Sequence, residues 1–393
     1  MTSRSEKFLR EISDTLRDNI LSFWLREMKD PTGGFYPQIT SDGTLVEDAP
    51  RGIILNARII WAFSAAYGKT GNKEYLLAAT HAKDYFLSHF QDNRFGGVYW
   101  SVDKNGKRCD AKKQLYAQAF AIYGLSEYYR INPDDQALKM AVNLYKIVQK
   151  HFADKVSGGY IEALSRDFSP LEDMSLSEHD INARKTMNSH LHLLEAYANL
   201  YKVYPKEDLK ENIEALLDII LGKVMDPVTG HLNLYFDDDW TVAGSGFSYG
   251  HDIETSWLAL EAAFILHDAD IINKVKPLCL RLATAGLEGM QEDGSMIYEV
   301  RSDGSVDTSR QWWVEAEALV GNLWLWKYHN DAGAFDRALA LWEYIKKNLI
   351  DRKRGEWFWS CEQDGSHSDG DKAGFWKCPY HNSRMCLQVL EQL

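Results

Sequence analysis

The stretch GGVYWSV, residues 96–102, followed by LYAQAFAIYGLSEYY, residues 115–129, decides the fold. Its paired glycines permit a tight turn, and the alternating aromatic and β-branched residues behind them suit a short strand or hairpin. The second run is apolar or small almost all round, so a helix built from it must be buried on every side. Farther on, DQALKMAVNLYKIVQKHF (135–152) carries apolar residues at helix spacing with lysines on the other side, the pattern of a helix buried along one face.

This unit recurs. Glycine turns open at Gly33, Gly96, Gly158, Gly230, Gly294 and Gly355, separated by 63, 62, 72, 64 and 61 residues. Self-similarity at a nearly fixed period marks a repeat architecture. An amphipathic segment precedes each turn and a helix without a polar face follows it, six of each. The sequence therefore predicts an all-α fold, an (α/α)6 barrel of six inner and six outer helices, with short β-hairpins gathered at one end. No linker or low-complexity run interrupts the series, so residues 1–393 form one domain.

Composition narrows the function. Lys and Arg number 44 against 57 Asp and Glu, a net charge of -13 that argues against nucleic acid or an anionic membrane as partner. The first twenty residues lack a basic segment followed by an unbroken apolar run, and no stretch elsewhere reaches membrane-spanning length without charges. A soluble protein made without export is expected. Five cysteines, odd in number and without a C-x-x-C pair, indicate neither a zinc cluster nor a disulfide framework, which fits a reducing cytoplasm.

In such a barrel the first turns of all six inner helices converge on one cavity. They hold Asn56 and Arg58; Tyr116 and Gln118; Asn188, His190 and His192; His251, Asp252 and Glu254; Trp312, Trp313, Glu315 and Glu317; and His381, Asn382 and Arg384. Burying this many polar groups without partners or a ligand would cost roughly 1–3 kcal/mol each. They form either a ligand site or a set of barrel-end struts.

The histidines admit three readings. A metal site could draw on His192, His251, Glu254 and His381, although His190 and His192, two apart, point in nearly opposite directions on a helix. Each could also be a satisfied core histidine. Acid/base work is favoured, because an imidazole accepts and returns a proton near neutral pH, and Glu254, three residues after His251, could hold one of its ring nitrogens. Arg58 is the candidate cation for an anionic intermediate, unless it merely pairs with an inner glutamate. Core packing is the commoner role of any single tryptophan, and among the thirteen several must be structural. Trp312 and Trp376 precede inner helices, where flat rings suit sugar faces. Asp180, in the polar loop SLSEHDINARKTMN, either reaches over the mouth to hydroxyls or is plain loop surface.

KTMNSHLHLLEAY (185–197), SYGHDIETSWL (248–258), WWVEAEALVG (312–321) and WKCPYHNSRMCLQ (376–388) resemble the cellobiose 2-epimerase branch of the N-acylglucosamine 2-epimerase superfamily. The resemblance runs from FWLREMKDPTGGFY (23–36) to the last helix. It implies the same barrel, no metal or redox cofactor, and exchange of glucose and mannose configuration at the reducing end of β-1,4-linked disaccharides. It further implies that His251 and His381 are the paired acid/bases, that His192 lies near the sugar oxygens, and that Glu254 supports His251. By the same resemblance Arg58 steadies the enediolate, Tyr116, Asn188 and Glu315 are polar lining, and Trp312 and Trp376 stack on sugar.

Two bases have a physical rationale, since removing and returning a proton on one face only regenerates the starting sugar. The expected function is thus a cofactor-independent 2-epimerase of cellobiose-type disaccharides, a monomer or weak homodimer. Mannobiose is the rival natural substrate. Other readings are an aldose–ketose isomerase, an N-acylglucosamine 2-epimerase, an inverting glycoside hydrolase using two of Asp252, Glu254, Glu315 and Glu317, and a non-catalytic sugar-binding protein.

Overall fold

The computed structural model describes residues 3–177 and 180–393. Twelve α-helices follow one another along the described residues: α1 (Ser3–Asp14), α2 (Ile53–Thr70), α3 (Lys73–His89), α4 (Leu115–Ile131), α5 (Asp135–Ile147), α6 (Met187–Tyr201), α7 (Glu207–Ile219), α8 (Tyr249–Ile265), α9 (Ala269–Gly286), α10 (Trp312–His329), α11 (Ala334–Asn348) and α12 (His381–Gln392). The even-numbered helices pack in sequence order, and α12 returns to α2 to close the ring. The odd-numbered helices pack outside them. Burial explains the division. In α2 every residue from Ile53 to Ser64 is buried, whereas α5 buries only Ala137, Met140, Ala141, Leu144 and Tyr145, the i, i+3, i+4 stripe of a helix with one wet face.

Each outer helix ends in the same reversal. Lys29 bridges Phe35, and the equivalent pairs are Gln91 with Val98, Ala153 with Tyr160, Met225 with Leu232, Met290 with Met296, and Ile350 with Trp357. Gly159 shows why glycine is required. Its φ is +76°, and a Cβ there would lie 2.4 Å from Trp240 and 2.8 Å from the His190 ring.

The strands differ from simple local hairpins. Hairpins do form at Ser101–Val102 with Arg108–Asp110 and at Glu299–Val300 with Val306–Asp307. The other ladders tie the segment leading into one inner helix to the turn of the next repeat: Arg51–Gly52 with Ser101–Val102, Lys113–Gln114 with Ala163–Leu164, Lys185–Thr186 with Tyr235–Phe236, Phe247–Ser248 with Glu299–Val300, and Arg310–Gln311 with Ser360–Cys361. Ile39 bridges Ala373 and completes the circle. Buried ion pairs pin the same lead-in segments, as in Lys113 with Asp92 (3.0 Å), both side chains fully enclosed.

Candidate active site

The polar residues of the inner first turns separate into two rings. One ring braces the glycine turns. Gln118 Oε1 accepts the Val98 amide (3.1 Å), His190 Nε2 the Tyr160 amide (3.0 Å), Asp252 Oδ1 the Leu232 amide (2.9 Å) and Glu315 Oε1 the Met296 amide (2.9 Å). Asn382 occupies the equivalent position on α12 and donates to Glu356, which accepts the Trp357 amide. Asn56, at the same position on α2, donates to the Gly52 carbonyl (2.8 Å). Two residues farther along each helix come Arg58, Phe120, His192, Glu254, Glu317 and Arg384. A step of two residues turns about 200° around a helix, so this second ring faces the barrel interior.

Several expectations are corrected by this division. Glu315 is a strut rather than polar lining: it is fully enclosed, and burial holds its carboxyl well above the ordinary range. Asp252 is another strut, with its second oxygen bonded to His231 Nδ1 (2.6 Å). Two of the four carboxylates offered for glycoside hydrolysis are therefore spent on structure. The other two, Glu254 and Glu317, both accept from Arg384 Nη2 instead of flanking a space from opposite sides. His190 proves a satisfied core histidine, donating from Nδ1 to the Thr186 carbonyl (2.7 Å), and burial pushes its pKa down to about 4.

Glu254 does not hold His251. Its Oε1 belongs to Arg384 and lies 3.9 Å from His381 Nδ1, its Oε2 is buried without a partner, and burial, reinforced by Glu317, pushes its pKa up to about 7. His251 Nδ1 is also buried and unpartnered. Burial, with a smaller contribution from His192, lowers that imidazole to about 3, which keeps it neutral and able to accept a proton.

The other two interior histidines are held by glutamates. His381 Nδ1 donates to Glu317 Oε1 (2.8 Å), and His192 Nδ1 donates to Glu195 Oε2 (3.0 Å). An ionised carboxylate can only accept, so each ring carries a proton on the Nδ1 that faces its glutamate. Burial, followed by Arg58 and Arg384, holds the His381 pKa well below its ordinary value. Glu195 and Glu317 were not singled out as partners in the sequence, although the i, i+3 spacing of His192 and Glu195 could have signalled one of them.

Trp313, which the sequence did not single out for the sugar, lies against two of the histidines. Its indole centre is 4.7 Å from the His251 ring and 5.6 Å from the His381 ring. Trp312 packs on Trp359 at 4.6 Å, stands edge-on to His381 at 6.4 Å, and has its indole Nε1 buried without a partner. Trp376 is half-buried beside Trp100 and Tyr116.

Arg58 lies between the rings of Phe120 (4.1 Å) and Tyr380 (4.5 Å) and donates to the Tyr116 hydroxyl (2.7 Å). Among the described residues it has no carboxylate within ion-pair distance. A buried cation in this setting suits an incoming anion. A cavity of about 580 Å³ opens at this end of the barrel, with His251, Asn188, Asp180, Tyr235 and Tyr298 in its wall. Asn188 Oδ1 is buried and unpartnered, while Asp180 accepts from Ser177 Oγ (2.6 Å) and Tyr235 Oη (2.8 Å). Glu254, Glu317 and His381 are close enough together to hold a metal ion. Arg384, however, already bonds both carboxylates, and its fixed positive charge opposes a cation there.

A closed ring of helix pairs with neutral imidazoles, an unpaired arginine and a cavity at one mouth defines an (α/α)6-barrel enzyme of the carbohydrate-epimerase class. The family model described as N-acylglucosamine 2-epimerase (GlcNAc 2-epimerase) matches residues 33–384. The chain is 47% identical to the cellobiose 2-epimerase of Bacteroides fragilis over 384 residues, 97% of this chain and 98% of that one. It is 37% identical to the cellobiose 2-epimerase of Dictyoglomus turgidum, covering 98% of each. The solved cellobiose 2-epimerase of Bacillus thermoamylovorans B4167 superposes with a TM-score of 0.95 at 38% identity, covering 99% of this chain and all of that one. The chain belongs to the N-acylglucosamine 2-epimerase family.

Proposed function

We propose that this enzyme is a 2-epimerase of cellobiose-type disaccharides, interconverting glucose and mannose at the reducing end. The observation that carries the reading is one indole, Trp313, touching two neutral imidazoles from different inner helices, one with an unpartnered Nδ1 and the other with Nδ1 held by Glu317. After ring opening, with His192 beside the sugar oxygens, one of His251 and His381 takes the proton from C2. The electron pair moves into a planar enediolate whose oxygens are met by Arg58 and Tyr116. The other imidazole, carrying a proton drawn from water, returns it to the opposite face of C2, and the first imidazole then releases its captured proton to water. Preorganised donors aimed at the developing oxyanion supply the main stabilisation. Trp313 and Trp376 offer rings to the sugar faces, and Asp180 and Asn188 offer polar atoms to its hydroxyls. Mannobiose would undergo the same reaction. The free thiols of all five cysteines fit a reducing cytoplasm, and the expected assembly is a monomer or weak homodimer.

The test is incubation with cellobiose, and separately with mannobiose, in heavy water, following the reducing-end C2 proton. The expected product is the C2 epimer labelled at C2. Monosaccharides without such label would instead indicate hydrolysis, a ketose as main product would indicate an isomerase, and no reaction with either sugar defeats the assignment.

A further inference from the structure

Arg384 was read in the sequence only as part of a polar first turn. In the structure its side chain is 2% exposed and reaches three carboxylates carried by three different inner helices. Nη1 bonds Glu195 on α6, and Nη2 bonds Glu254 on α8 and Glu317 on α10 (2.8 Å). Two of those carboxylates each hold an interior imidazole at Nδ1, Glu195 holding His192 and Glu317 holding His381. One guanidinium thus stands behind two glutamate–imidazole pairs that come from separate parts of the chain.

We propose that Arg384 is a positioning residue that couples the two pairs, keeping His192 and His381 in the same tautomer with Nε2 free for the sugar. The inference rests on the epimerase reading for its catalytic consequence, but not for the tautomers themselves. A glutamate fixes the tautomer only while it is ionised, because a protonated carboxyl can donate to Nδ1 and reverse the ring. Three carboxylates buried together would otherwise share protons among themselves. The planar fork of arginine bonds all three from one point, with two nitrogens spread over separate helices, which the single ammonium of lysine cannot do. Tyr380 adds a hydroxyl donated to Glu195 (2.6 Å), and its ring covers the guanidinium at 4.2 Å.

The test is Arg384→Met, with Arg384→Lys beside it. Glu195 and Arg384 also line a second cavity of about 270 Å³ at the far end of the inner helices, from which water can reach the freed carboxylates. Nitrogen-15 spectra of the histidine-labelled, sugar-free protein are expected to show His192 and His381 protonated at Nδ1 in the wild type and mixed tautomers in Arg384→Met. With cellobiose, Arg384→Met should lose at least about a hundredfold in kcat with KM changed only a few-fold. The charges facing His381 are those of Arg58 on α2, His192 and Glu195 on α6, His251 and Glu254 on α8, Glu317 on α10 and Arg384 on α12. Arg384 itself depresses His381, Glu254 and Glu317. Its loss should therefore move the acid limb of the kcat/KM profile to higher pH, and Arg384→Lys should recover the limb more than the rate.

A rate lost equally at every pH with unchanged tautomers overturns the proposal in favour of simple packing, as does full activity. If Arg384→Met does not fold, Glu195→Gln replaces it. Coupling requires that Glu195→Gln disturb the His381 signals as well as those of His192, and a change confined to His192 refutes it. The spectra need no substrate, so failure of the epimerase reading leaves this outcome independently readable.

Discussion

His192 and His251 each have a glutamate three residues on, and only the first pair forms. Glu195 accepts from His192, while Glu254 is drawn away by Arg384, so His251 is left with an unpartnered Nδ1. An identical local spacing thus yields a held imidazole in one helix and a free one in the next. The two kinds of histidine suit a reaction in which one ring takes a proton from carbon and the other delivers one to it. His251→Ala and His381→Ala are each expected to lower epimer formation by about 10²–10⁴-fold. Product assays and circular dichroism check this, and near-wild-type turnover in either folded variant would remove that ring from the chemistry. Glu315→Ala should behave differently. It removes the acceptor of the Met296 amide and leaves a buried donor unsatisfied, at about 1–3 kcal/mol. The thermal midpoint should drop while turnover per folded molecule stays within a few-fold, and a normal midpoint with lost turnover would return Glu315 to the site.

At the scale of the element, each repeat is an outer helix, a glycine reversal, a short ladder and an inner helix, and in every repeat but the first a polar residue of the inner helix braces it back onto the reversal. The brace and the interior-facing ring lie two residues apart on the same helices, so the struts set the rotation of the interior side chains. Gly159 ties these parts together, since its φ of +76° and the closeness of His190 leave no room for a side chain. Gly159→Ala is expected to cost more than the roughly 1 kcal/mol typical of a left-handed glycine, because the methyl also meets Trp240 and His190. Urea titration reads it, and stability equal to wild type would mean the turn is not strained. The fourth repeat departs from the pattern. Where Arg51, Lys113, Lys185 and Arg310 lead into their helices, it has Phe247, which stacks on His231 at 3.8 Å while that histidine pairs with Asp252.

For the whole molecule, acid should weaken the barrel through its enclosed histidines. His190 has its pKa pushed down to about 4 by burial, from an ordinary 6.5. Above pH 6.5 the ring is neutral folded or unfolded and contributes nothing. As pH falls from 6.5 toward 4 the unfolded chain binds a proton that the folded one refuses, so stability declines across that window. Between pH 6.5 and 4 the thermal midpoint of His190→Gln should fall less, relative to its own value at neutrality, than that of the wild type; an unaltered slope in that variant would exclude His190 as a source. The six glycine turns and the alternation of one-faced and faceless helices were legible in the sequence, because periodicity and burial are properties of neighbouring residues. So were the polar mouth, the three interior histidines and Arg58. Which polar residues brace and which face inward was not legible, nor was the place of Trp313 against His251 and His381, nor the glutamate that serves each imidazole. Those outcomes depend on the rotation of each helix about its axis and on competition for Arg384 among three carboxylates from three helices, and only closure of the ring brings these groups within reach of one another.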